Sequence, residues 1–322
     1  NIFIFKLNQN ISDVIYYNLV FFTFCLIGFS FVWYIMSLLK KNIKNMYYIS
    51  YGLFILGFIY LLLFHNNLSE ILVFAGIFGT GNGAFRCAVH SQELVHIEDK
   101  KRDLYSSSIS AGTTIIGITM PLFASWVFLV SKILSLNGYI ILFLFLPFLY
   151  ITSFLFIKNI ESYIPDTIKK ADVKNFFNFK KYFFWLLYIL WVSFYQGIQF
   201  IIWATIAIYL LKTEINVGLF EGIISLLSTV ILIFLSHSRT TDNRIKIMGY
   251  LTLFLSLNYF LFVANFSIFW YIIYTIIWII VGPLYRVSEH VYDLKIMDSI
   301  KYEGSDFFPA MILREVLLWV GR

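Results

Sequence analysis

Long apolar runs, separated by short charged segments, dominate the pattern of hydrophobic and polar positions along this chain. Most runs hold about 20 residues, the length that an α-helix needs to cross a hydrocarbon core of roughly 30 Å. Outer-membrane barrels instead need short segments of alternating polarity, which this pattern does not favour. The sequence therefore predicts an all-α membrane protein.

Nine of these runs are predicted to cross the membrane. They are Asp13–Leu39, Met46–Phe64, Glu70–Val89, Ser107–Val130, Gly138–Ile157, Phe183–Leu211, Val217–Ser236, Met248–Asn265 and Ser267–Val287. Ile2–Leu7 precedes them as the predicted tail of an earlier helix, and Phe307–Val320 follows as the approach to a later one. Because the chain starts without Met and stops inside an apolar run, we expect a fragment that lacks helices at both ends.

Composition agrees with this prediction, since 60% of the 322 residues are hydrophobic and only 13% are charged. Soluble domains carry about 25% charged residues, and disordered chains are poor in aromatic residues, so both classes are excluded. Cys25 and Cys87 lie inside apolar runs without the spacing of a disulfide or metal motif. We expect no cofactor, no metal and no nucleic-acid partner.

The basic residues divide unequally between the two sets of loops that nine spans create. Nineteen of the 24 Lys and Arg residues fall in one set, three fall in the other, and Arg86 and Arg286 lie within spans. Cytoplasmic loops carry an excess of Lys and Arg in membrane proteins. The basic loops are therefore predicted to be cytoplasmic, which suits a multi-pass protein of the cell membrane.

The longest basic loop, 158–182, is predicted to be a cytoplasmic linker between two bundles, 1–157 and 183–322. The bundles are similar, because a helix, a short basic loop and a second helix occur at Asp13–Phe64 and again at Val217–Phe262. Parallel repeats of this kind are a transporter architecture.

This arrangement resembles a major facilitator superfamily transporter, with two six-helix bundles and a basic central loop. Three short stretches resemble a poorly characterised bacterial branch of that superfamily: Leu7–Asp13, Gly79–Gly83 and Arg314–Arg322. The resemblance implies a two-bundle fold of twelve helices, a monomeric permease and a coupling proton. It also implies that the first helix of the N-terminal bundle and the last two of the C-terminal bundle are mostly missing from this sequence. The superfamily's usual Gly and Asp after the second helix are absent from Ser37–Asn42, and Asp242 with Arg244 would supply a version of that latch in the second half.

Polar residues inside the spans are the candidate functional positions, because they need a bundle interior or a water-filled cavity. In Glu70–Val89 and just beyond it, Asn82, Arg86, His90 and Glu93 fall on one helical face. A rise of about 1.5 Å per residue places Asn82 roughly 18 Å and Arg86 roughly 24 Å from the start of this span. Asn82 and Arg86 are predicted to line a substrate cavity, with His90 and Glu93 as gating or coupling candidates. The alternative for Arg86 is that it reaches the inner headgroups.

Two amides near the centre of Phe183–Leu211, Gln196 and Gln199, are also predicted to line the cavity together with Trp203. Their alternative role is hydrogen bonding to neighbouring helices. Further gating or coupling candidates are Glu221, Arg286, Glu289 and His290, of which the last three follow Pro283. The small and hydroxyl residues between Ser106 and Thr119 favour helix packing over binding.

These features favour a secondary transporter that moves a small solute by alternating access. A membrane-embedded enzyme is the first alternative, but the five His residues show no metal-ligand spacing and no paired catalytic motif. A channel or scramblase is the second. No P-loop is present in the sequence, so ATP is not the expected energy source.

Overall fold

The computed structural model describes residues 1–39, 42–97, 102–160, 179–235, 244–302 and 307–321. Within these ranges the regular structure is helical, and no strand occurs. The helices are α1 (Ile2–Asn8), α2 (Ile11–Leu38), α3 (Lys44–Leu63), α4 (Leu68–His96), α5 (Arg102–Ile133), α6 (Gly138–Phe156), α7 (Phe179–Leu211), α8 (Glu214–Leu235), α9 (Arg244–Ala264), α10 (Ile268–Tyr302) and α11 (Phe307–Gly321). A 3-10 turn, Ile157–Asn159, follows α6.

Five helical segments in the described part of the chain are long and apolar enough to cross a membrane. They are Ile11–Met36, Lys44–Leu63, Leu68–Glu93, Ala111–Ile133 and Gly138–Asn159. Gly249–Ala264 and Ile268–Gly282 are apolar but shorter. These segments confirm the all-helical class and indicate a membrane protein. The count of nine spans stays a prediction, and most of the predicted linker 158–182 lies outside the described residues.

Several helices continue beyond the apolar runs that predicted them. The predicted span Glu70–Val89 ended at Val89, whereas α4 continues to His96. The predicted span Ser267–Val287 ended at Val287, whereas α10 continues through Pro283 to Tyr302. An apolar run marks only the part of a helix suited to hydrocarbon, and polar residues can extend the same backbone hydrogen bonding into water. The helix ends were therefore predicted less well than the helix positions.

The described residues form two compact units, and the first comprises Asn1–His96, Tyr139–Ile206 and Met297–Arg322. Its core is aromatic, with Phe58 and Phe74 buried between α3 and α4. Tyr150 of α6 stacks on Phe58 with ring centroids 5.9 Å apart. Aromatic pairs at this separation add to the packing of apolar surface.

Glycines bring the backbones of α2 and α4 into direct contact in this unit. A Cβ atom at Gly83 would lie 2.6 Å from the backbone nitrogen of Phe29 and would collide with the carbonyl oxygen of Cys25. A Cβ at Gly79 would meet the carbonyl oxygen of Phe21 in the same way. Gly79 and Gly83 are four residues apart, the spacing that lets membrane helices approach closely. These two residues therefore set the distance between α2 and α4.

The residue between them, Gly81, faces α3 instead. A Cβ there would lie 3.0 Å from the ring of Phe54, and the Ser50 hydroxyl donates a hydrogen bond to the Gly81 carbonyl oxygen over 2.8 Å. The Gly79–Gly83 stretch thus packs against helices on two sides. The glycines of this stretch, which carry part of the family resemblance, thus have a packing role.

The second unit comprises Ile97–Gly138 and Ala207–Ile296, and α5 packs on α8 within it. A Cβ at Gly218 would lie 2.6 Å from the carbonyl oxygen of Pro121. The Ser125 hydroxyl donates to the carbonyl oxygen of Ile215 over 2.9 Å. Gly117, from the small-residue segment of α5, would place a Cβ 3.4 Å from the Ser225 hydroxyl. Small residues therefore serve close packing here.

Candidate functional site

The polar positions of α4 lie on a helix that its unit encloses. Between Phe74 and Glu93 no residue of α4 is exposed, and the span Leu68–Glu93 has a larger buried share than the other four membrane-crossing candidates. Arg86 is only partly buried within this enclosed stretch. A charge on such a helix faces protein or a polar space, as intramembrane charges generally do.

Asn82 and Arg86 are joined directly, as their spacing of four residues allows. The Arg86 Nε donates a hydrogen bond to the Asn82 Oδ1 over 2.9 Å. The Cys25 thiol of α2 also donates to the Asn82 Oδ1, at 3.7 Å. The Asn82 amide oxygen thus has two donors, one from its own helix and one from α2, and it holds the Arg86 side chain toward the start of α4.

His90 and Glu93 form a second pair one to two turns farther along α4. The His90 Nδ1 and a Glu93 carboxylate oxygen are 3.0 Å apart. The Glu93 side chain is 2% exposed, whereas that of His90 is 24% exposed. The Tyr47 hydroxyl of α3 donates to the Gln92 Oε1 over 2.8 Å, and Tyr47 lies close enough to Glu93 for an electrostatic interaction. A buried acid and a more accessible histidine therefore adjoin one another.

A further pair of charged side chains lies on α11 and was not among the predicted site residues. The Arg314 Nη1 donates to the Glu315 Oε1 over 3.0 Å, and Glu315 is 5% exposed. Glu315 lies close enough to Cys87 of α4 for an electrostatic interaction. The sequence signal was present, because Glu315 interrupts the apolar run Phe307–Val320. That run was predicted to be the approach to a later helix, and its charged residues were not predicted to be functional.

The α7 candidates are described in part. Gln196 and Trp203 are partly buried in the first unit, and the side chain of Gln199 lies outside the described part of the chain. Near Gln196, the Ser193 hydroxyl donates to the carbonyl oxygen of Leu317 over 3.1 Å. This bond joins α7 to α11 one helical turn from Gln196.

The remaining candidates belong to the second unit or are not described. Glu221 is partly buried and interacts electrostatically with the buried Tyr271. Glu289 and His290 are partly buried on α10, and Asp293 beyond them is 6% exposed. Asp242 and the side chains of Arg244 and Arg286 lie outside the described residues.

No group of three His, Cys, Asp or Glu residues in the described ranges could hold a metal ion. The structure brings together four polar side chains along one face of α4. They form two hydrogen-bonded pairs, Asn82 with Arg86 and His90 with Glu93. Such an arrangement can bind a polar solute or pass a proton, and it offers no nucleophile activated by a neighbouring base.

No protein-family model matches this chain, and no curated protein matches it significantly. The resemblance to the major facilitator superfamily, read from topology and short stretches, stays a prediction.

Proposed function

We propose that this protein is a secondary transporter of the major facilitator type, which moves a small solute across the membrane by alternating access. The observation that carries the proposal is the polar face of α4, on which Asn82, Arg86, His90 and Glu93 lie along an enclosed, membrane-length helix. Intramembrane ionisable residues are costly, and substrate and ion pathways are their usual place.

Two further features support this function. The Lys and Arg distribution, nineteen against three, fits nine complete spans with a basic cytoplasmic linker. The similar segments Asp13–Phe64 and Val217–Phe262 fit two repeats that rock about a central site. With no P-loop in the sequence, a solute gradient or a co-transported proton supplies the energy.

The test is transport in proteoliposomes that contain the full-length protein. A panel of radiolabelled amino acids, sugars, carboxylates, phosphate esters and quaternary amines is offered from outside. Saturable uptake that is accelerated by unlabelled solute on the opposite side supports a carrier. In a carrier, the unlabelled solute binds the substrate site and returns it to the outer side, where it can take up labelled solute again. Flux that does not saturate indicates a channel, and recovery of a chemically changed solute indicates an enzyme. Either result would refute the proposal.

A further inference from the structure

The Arg86 guanidinium uses only one of its hydrogen-bonding edges within the described structure. Its Nε donates to Asn82, and its two terminal nitrogens donate to no described group. An arginine has five N–H donors, of which four belong to those terminal nitrogens. Asn82 is a neutral amide, so the bond orients the guanidinium without cancelling its charge.

No described carboxylate neutralises Arg86. Glu93, seven residues along the same face, is within 3.0 Å of His90, and Glu315 is within 3.0 Å of Arg314. Arg86 is only partly buried, but an ionised residue within a membrane span is costly and is usually paired with an opposite charge. Arg86 therefore holds a positive charge in a membrane-length helix for which the described chain supplies no counter-charge.

The direction of the side chain disfavours the simplest alternative, in which Arg86 reaches the headgroups. An arginine that reaches for the headgroups would extend past the nearer end of its helix. Arg86 instead bends back to Asn82, four residues toward the start of α4 and away from the end of the span at Glu93. The guanidinium thus points toward the middle of the span.

We infer that Arg86 and Asn82 form a binding site for a small organic or inorganic anion that carries a carboxylate or phosphate group. Arginine's terminal nitrogens match the two oxygens of such a group bidentately, and the ligand would supply the missing negative charge. The Asn82 amide nitrogen, which donates to no described group, adds a further donor. This inference rests on the proposed function, because it names the substrate class of the same site.

Binding is measured by thermal unfolding of the purified full-length protein in detergent. The anionic probes are acetate, succinate, citrate and inorganic phosphate, and the comparison solutes are glucose and choline. Sodium chloride keeps the ionic strength constant, because a monatomic halide cannot present two oxygens. At least one anionic probe should raise the unfolding temperature in a saturable way, and neither comparison solute should.

Three variants assign the effect to Arg86. Arg86→Gln should remove the response. Arg86→Lys should raise the half-saturating concentration at least about ten-fold, because lysine keeps the charge but lacks the planar guanidinium that binds two oxygens at once. Arg314→Gln should retain the response. Arg314 is the matched control, since its charge already has a carboxylate partner. Without ligand, Arg86→Gln should unfold at the same or a higher temperature than the parent, because it removes an uncompensated charge.

Three results would overturn the inference: no response to any of the four anions, an equal response to glucose or choline, or an anion response that persists in Arg86→Gln. Because binding in detergent needs no transport, the two proposals fail separately. Anion binding without flux in proteoliposomes would refute the transporter, and saturable transport of neutral or cationic solutes alone would refute the anion site.

Discussion

The contact between α2 and α4 gives the sharpest prediction about stability, through Gly83→Ala. The added methyl group would collide with the carbonyl oxygen of Cys25 and lie 2.6 Å from the nitrogen of Phe29. Both are backbone atoms, so no side-chain rotation can relieve the contact and the two helices must separate. Gly52 of α3 is the matched control, because a Cβ there meets nothing within 4 Å.

The magnitude follows from two opposing effects. Replacing glycine by alanine in a helix stabilises it by about 1 kcal/mol, and both variants receive this gain. Overpacking costs about 1–3 kcal/mol, and a backbone collision belongs at the upper end of that range. Gly83→Ala should therefore lose about 2 kcal/mol and Gly52→Ala should gain about 1 kcal/mol, a difference of about 3 kcal/mol.

The assay is the apparent unfolding temperature of the two variants in the same detergent, followed by loss of the monodisperse peak in size-exclusion chromatography. At about 2 °C per kcal/mol, the value for larger domains, Gly83→Ala should unfold roughly 6 °C below Gly52→Ala. Unfolding temperatures that agree within about 1–2 °C would show that α2 and α4 do not approach as the structure has them.

Other predictions concern sidedness, a helix contact and coupling. A cysteine introduced at Lys132 should react with an impermeant thiol reagent from outside, and one at Asn42 only after permeabilisation; the reverse result would contradict the predicted topology. The Trp319 indole donates a hydrogen bond to the Thr23 hydroxyl over 3.0 Å. A double-mutant cycle of Thr23→Val with Trp319→Phe should give a coupling energy of about 0.6 kcal/mol, and a coupling energy near zero would exclude the bond. Glu93→Gln should remain folded and take up solute without stimulation by an imposed pH gradient; unchanged stimulation would remove Glu93 from the proton pathway.

Helix positions were predictable from this sequence, because one physical quantity determines them. A stretch as apolar as Gly138–Ile157 is unfavourable in water and is predicted to be a membrane helix, and α6 covers nearly the same residues. The ends were less predictable, as α10 shows, because a helix can leave the apolar layer and continue through polar residues such as Glu289 and Asp293. Apolarity locates the membrane part of a helix and leaves its length undetermined.

Partners between helices were not predictable, because no pattern along one helix specifies what faces it. The spacing of Asn82 and Arg86 placed them on one face, but only the structure shows that Asn82 also accepts from Cys25 of α2. The Arg314–Glu315 pair was overlooked for a related reason. Adjacent residues point in different directions on a helix, so helical spacing did not indicate that these two side chains would meet.

The packing glycines and the polar residues of α4 share one helical face. Gly79, Gly83, Arg86, His90 and Glu93 recur at i, i+4, i+7, i+11 and i+14, which is one helical face. The two glycines bring the backbone of α2 against the first part of that face, and this contact is what carries the Cys25 thiol to within 3.7 Å of the Asn82 oxygen. If the helices stood farther apart, Asn82 would lose that donor, and of its two described donors only the Arg86 Nε would remain on its amide oxygen. The close approach of α2 therefore does more than stabilise the unit: it adds a second donor that favours the amide orientation in which the Asn82 oxygen faces Arg86.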